Sequence, residues 1–169
     1  MARLKRRTGS LSAVLLHALD EAYGKAAWHG PNLKGSLRGV TAREASRRPD
    51  SGRHNIREIV LHAAYWKYRV RRRLTGESRG SFSLPGNNWF RREGSSEKEW
   101  RAERDLLDQE HRALRRAVAA FPEARYGKRL PGNEKRTAQR EIAGITLHDV
   151  YHAGQIQLLK VLVRKGRSR

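Results

Sequence analysis
His148 and His152 stand four residues apart, so on a helix both imidazoles leave one face about one turn apart. Two ring nitrogens so placed can bind one ion at about 2.0–2.1 Å each. Their phase adds to the spacing. In the rhythm Ile145, His148, His152, Ile156 and Leu159 they fall on the side that a packed helix turns inward. Buried imidazoles need partners, because an unpaired buried polar group costs about 1–3 kcal/mol. His62, beside Ile59, Ala63 and Trp66, falls on the inner side of an earlier helical pattern. A third imidazole from there completes a facial set of three nitrogens and leaves positions open for water or substrate, as catalytic metal sites do. The same residues also read as hydrogen-bonded core histidines. A His-x-x-x-His pair is common by chance, and the His-Glu-x-x-His signature is absent because Asp149 follows His148. The sequence has no cysteine, which excludes disulfides, thiolate zinc sites and cysteine nucleophiles and leaves imidazole, carboxylate and water as ligands.

Several neighbours could complete such a site. His111 lies between Leu107 and Leu114 on another helical stripe and reads as a fourth ligand, a donor behind the ligands or, preferred here, a structural core residue. Tyr151 and Gln155 are candidates to orient a ligand imidazole, since metal-bound histidines usually give their other N–H to a neighbour. Trp66 belongs to a cluster with Tyr65 and Tyr68 that reads mainly as packing, with one residue left to line a pocket. His29 is a candidate for the site mouth, although Trp28, His29 and Gly30 read first as a helix end with Gly30 as its left-handed cap. Asp149 points about 100° away from His148 on a helix and is expected in a solvent-exposed pair. Gly144 and Gly154 remove side chains near the pair and would let a helix or ligand approach, while His17 and His54 read as surface or capping residues.

Four helical segments position these residues. The first, residues 10–27, places Leu11, Val14, Leu15, Ala18, Leu19 and Ala22 on one face. The second, residues 55–75, starts at the N-cap Asn55 with Glu58 three residues on, a capping-box-like pair, and stops near Gly76. The third, residues 96–121, is capped by Ser96 or Ser95, ends before Pro122 and carries Leu107, His111, Leu114, Val118 and Phe121 as its stripe. The fourth, residues 136–163, has Ile142, Ile145, Leu159 and Leu162 among its core positions, with a basic tail over 164–169. The fold class is therefore all-α, a four-helix bundle. Its connections are long. The segment 30–52 surrounds a short possible helix at 41–46, and 77–95 is rich in Gly, Ser and Asn with an aromatic pair at Trp89 and Phe90. Such lengths permit crossover connections and are usual in functional or mobile loops.

At 169 residues the chain is expected to form one domain. The longest apolar run is too short to span a membrane. The start imitates a signal peptide, with Arg3, Lys5, Arg6 and Arg7 ahead of Leu11–Leu16, but the apolar run breaks at His17 and Asp20, so a cytoplasmic location is expected. The formal net charge is +20, a balance that suits phosphate contacts. The basic residues are nevertheless scattered, at 71–73, 91–92, 115–116 and the C-terminus, and form no known reading motif, so nucleic acid is not the favoured partner.

The run from Asn55 to Trp66, with His62 four residues before the tryptophan, and the run from His148 to Leu159, with Gly154, Gln155 and Ile156 after the second histidine, resemble the DinB/YfiT-like family of metal-binding four-helix bundles. That pattern has a histidine in the second helix, often with a tryptophan four residues on, and two late histidines followed by Gly-Gln-Ile. The resemblance covers residues 11–162, weakly in the two long loops. It implies a crossed helix order, a three-histidine ligand set at His62, His148 and His152, an open coordination sphere, zinc or nickel as the divalent ion and, frequently, a homodimer. Relatives include transferases and isomerases that use small cellular thiols. Three functions follow as expectations. The first is an enzyme whose ion activates a thiol or water for transfer or hydrolysis on a small molecule. The second is a metal-binding stress protein without turnover, and the third a basic nucleic-acid-binding protein with a structural metal. A site left open favours the first, and one closed by His111 or a carboxylate favours the second.

Overall fold
A computed structural model describes residues 10–49 and 52–165 of the chain. Four long helices dominate: α1 (Leu11–Tyr23), α4 (Ile56–Thr75), α5 (Glu97–Ala120) and α6 (Ala138–Lys165). Between α1 and α4 lie two short ones, α2 (Leu33–Ser36) and α3 (Ala42–Ser46). Their starts are set by side chains that accept from otherwise unpaired backbone N–H groups: Ser10, Asn32, Thr41, Asn55 and Ser96 each do so. Thr41 and Glu44 form a full capping box. Asn55 and Glu58 form only half of one, because the buried Glu58 carboxylate is turned to Arg48, to His54 and to the Arg92 N–H instead.

α4 packs on α5 and α6, and α1 on α6 and α5, so the consecutive long helices α1 and α4 are not principal neighbours and the α2–α3 segment crosses between them. This is the expected all-α bundle with a crossover connection. α4 is its central element, buried on nearly every side from Ile56 to Tyr65. The second long loop covers it: Phe82 and Phe90 are buried and meet Tyr65 edge-on at 5.5 and 5.7 Å. The end of that loop is fastened by Arg57, which is 1% exposed. Its guanidinium makes two 2.7 Å bonds to Glu103 on α5 and two more to the carbonyls of Glu93 and Gly94.

Three helix boundaries and some core positions depart from expectation. α1 stops at Tyr23, a turn early, because the Asp20 carbonyl takes the N–H groups of both Gly24 and Lys25. Trp28 and His29 are therefore exposed loop residues, and Gly30 takes its positive φ of 99° there rather than as a helix cap. Leu11 and Val14, at 43% and 58% exposure, lie outside a core face made by Leu15, Leu19, Ala22 and Tyr23, and Leu162 is exposed likewise. α6 starts at Ala138, since Arg129–Leu130 (β1) and Asn133–Thr137 (β2) pair as an antiparallel hairpin turned at Gly132. The hairpin delivers the first N–H groups of α6 to the carbonyls of Lys128 and Tyr126. At its other end α6 runs on to Lys165, and Arg164 pairs with Glu44 at 3.0 Å instead of joining a free tail. The basic cluster at Arg3, Lys5, Arg6 and Arg7 and the tail residues 166–169 lie outside the described residues. No helix among the described residues is long and apolar enough to cross a membrane.

Candidate metal centre
α4 and α6 bring His62, His148 and His152 together, with one nitrogen from each within 4.8 Å of the others. His62 and His152 are buried and His148 half-buried. The Nε2 atom of His148 lies 3.0 Å from that of His62 and 3.0 Å from that of His152. Two nitrogens about 2.05 Å from one ion would lie about 2.9 Å apart at a right angle and about 3.3 Å apart at a tetrahedral one.

The outer nitrogens settle which atoms carry protons. His62 Nδ1 is 2.9 Å from the Asn88 carbonyl, which can only accept, so Nδ1 donates and Nε2 keeps its lone pair. His152 Nδ1 donates to Gln155 Oε1 at 2.6 Å, and the Gln155 amide donates on to Tyr151 Oη at 2.9 Å. Two lone pairs thus face His148 Nε2, which can donate to only one of them. His148 Nδ1 is buried with no hydrogen-bond partner. A proton cannot satisfy this arrangement, whereas one cation shared by three nitrogens does. Burial also keeps the rings neutral. It lowers His62 and holds His148 at about 3 and His152 at about 4. The donor set therefore fits a borderline-soft divalent ion.

Positioning comes from residues that periodicity does not reveal. Asn88, the only non-glycine with positive φ (57°) among the described residues, aims its carbonyl at His62 and takes the Trp66 indole N–H on its side chain at 2.8 Å. Trp66 meets His62 edge-on at 6.3 Å. Trp89 lies flat between His62 and His54, with ring centroids 3.8 and 3.6 Å away. The aromatic pair in the long loop was the one signal that could have pointed to it.

Two cavities meet at the histidines. One, of about 410 Å3, is lined by Trp66, Asn88, Arg136, Arg140 and Gly144, and the other, of about 840 Å3, by Ile59, Trp89, Leu158, Leu159 and Leu162. His62 and His148 line both.

The remaining candidates separate. Tyr151, Gln155 and Trp66 are at the site, whereas His29 is an exposed loop residue that lines neither cavity. Gly144 and Gly154 have nothing within 4 Å of where a Cβ would stand, so among the described residues no other helix meets them there. His111 is a buried core residue stacked on Tyr23 at 3.6 Å, and no other histidine or carboxylate joins the three among the described residues. Asp149 is not in a solvent-exposed pair: it is fully buried and takes a short hydrogen bond from the equally buried Lys67 of α4. The helix turns that side to α4 as well.

A family model described as the DinB superfamily matches residues 26–156. No curated protein and no solved structure matches the chain.

Proposed function
The chain belongs to the DinB superfamily, and on that premise we propose that His62, His148 and His152 hold one divalent metal ion through Nε2 in an enzyme acting on a small molecule. The observation that carries the reading is the pair of lone pairs facing His148 Nε2 at 3.0 Å. When bound, an ion such as zinc or nickel supplies a Lewis acid that lowers the pKa of a thiol or water beside it, for transfer to or hydrolysis of the substrate. The protein's own part is orientation. Asn88 and Gln155 fix the tautomers of His62 and His152, and Trp89 shields one face of His62 from water. Turnover rather than storage is supported by the two cavities, which leave the histidines approachable, and by the distance of His111 from them. The proposal includes a cytoplasmic setting and a homodimer. The dimer's support is the exposure of Leu147 and Val161 on the outer side of α6, at 67% and 49%.

Elemental analysis of untagged protein tests the centre. Near-stoichiometric metal is expected in the parent and none in His148→Ala/His152→Ala. A parent that stays metal-free after reconstitution refutes the reading. Gln155→Leu leaves His152 Nδ1 without its acceptor and should weaken metal affinity about 10–100-fold in competition with a chromophoric chelator. Gln155→Glu keeps an acceptor and should retain tight binding.

A further inference from the structure
The two cavities that meet at the histidines differ in chemistry. On the Gly144 side the charged lining is three guanidinium groups, Arg73, Arg136 and Arg140, against the single carboxylate of Glu141. Arg73 and Arg136 are both directed to Glu141, at 2.7 and 3.8 Å. Arg140 is exposed and has no ion-pair partner among the described residues. Arg136 at the end of β2 and Arg140 in the first turn of α6 line the same cavity, so the two can address one anionic group. Gly144 comes one turn later and its bare Cα leaves the way from Arg140 to His148 unobstructed. On the other side Ile59, Leu158, Leu159 and Leu162 form an apolar wall, of which Leu158 and Leu162 are 61% and 45% exposed. Exposed leucines on a helix are individually unremarkable, but here they line a cavity of about 840 Å3 that His62, His148 and His152 also line.

We propose that the substrate is an organic anion with an apolar tail, its charged head on Arg140 and Arg136 and its tail against Ile59, Leu158 and Leu162, so that the atoms between them lie at the three imidazoles. This rests on the reading of the histidines as the reactive centre. It deepens that reading by assigning the two ends of the molecule. A small hydrophilic anion would leave the apolar wall wet, and a neutral lipid would leave Arg140 unpaired. Only a molecule with both characters uses both cavities at once.

Octanoate, octanol and acetate are suitable probes, titrated calorimetrically into the full chain in metal-free and zinc-loaded forms. Working with metal-free protein removes carboxylate–metal bonding from the comparison. Octanoate is expected to bind about tenfold or more tighter than octanol, the worth of a charge-assisted pair, and much tighter than acetate. Arg140→Ala should reduce the preference for octanoate over octanol without changing zinc content, and Leu158→Asn should weaken octanoate and octanol together. Both residues are exposed, so neither variant threatens the fold. Equal affinity for octanoate and octanol, or a preference unchanged by Arg140→Ala, would overturn the assignment even if zinc binds stoichiometrically. Arg140-dependent octanoate binding in a chain that takes up no zinc would uphold the two-ended site and refute the metal centre instead.

Discussion

Lys67→Met should lower the stability of the protein by about 3–5 kcal/mol, and adding Asp149→Leu should restore most of that loss. Lys67 on α4 and Asp149 on α6 both have 0% side-chain exposure, and the ammonium donates to Asp149 Oδ2. Burial pulls the lysine down from its ordinary pKa and pushes the aspartate up, so each is tolerated only because the other is there. Removing one leaves a buried group with a proton to find or lose and nothing to bond. Removing both exchanges the pair for apolar contact, which is often neutral or stabilising. The pair is also imperfect, since Asp149 Oδ1 has no partner. Urea denaturation of the parent, the two single variants and the double variant gives the coupling directly. A double variant as unstable as the two losses added together would mean that packing, not charge, holds α4 against α6 here.

Acid should expose a second buried group, His111. It is 6% exposed, stacked on Tyr23, and burial holds its pKa at about 3, with the Lys67 charge acting in the same direction. In the unfolded chain an imidazole titrates near 6.5. Between those values the unfolded state carries a proton that the folded state refuses, so stability rises with pH across the window and falls as pH drops below about 6.5. One such proton is worth about 1.4 kcal/mol per pH unit. His111→Phe keeps the ring stack and removes the titration. Parent and variant should therefore have similar stability at pH 7.5, while at pH 4.5 the variant should be ahead by about 2–3 kcal/mol. Denaturation curves at the two pH values decide it, and parallel losses in both proteins would place the acid sensitivity elsewhere.

The three histidines are legible in the sequence because helical periodicity carries phase as well as position. Ile145, His148, His152 and Ile156 mark one side of α6, and that side does face α4. Asp149 is not legible for the complementary reason. Phase assigns it to another side, and the rule that carboxylates face water has no knowledge of a lysine buried at the centre of the neighbouring helix. Asn88, Trp89 and Arg136 lie on a loop or a short strand, where no period exists to say which way a side chain points. The hairpin escapes notice because strands of two and five residues are too short for alternation to register. The early end of α1 turns on which carbonyl accepts the N–H groups of Gly24 and Lys25, a choice among neighbours of equal propensity. The crossover follows from the long connection between α1 and α4, but only the packing of α1 on α5 and α6 fixes its sense.

The ligand candidates are unevenly spread along the chain. His62 precedes His148 by 86 residues, and His152 follows only four later. During synthesis the emerging polypeptide therefore carries only one of the three, His62, until α6 supplies the other two. The set exists only after α6 has docked on α4, by which time His62 and His152 are already covered. On the proposed reading an ion would then enter through one of the two cavities, and loading would be the last event of maturation, with its rate set by access past the rings and arginines that line those openings.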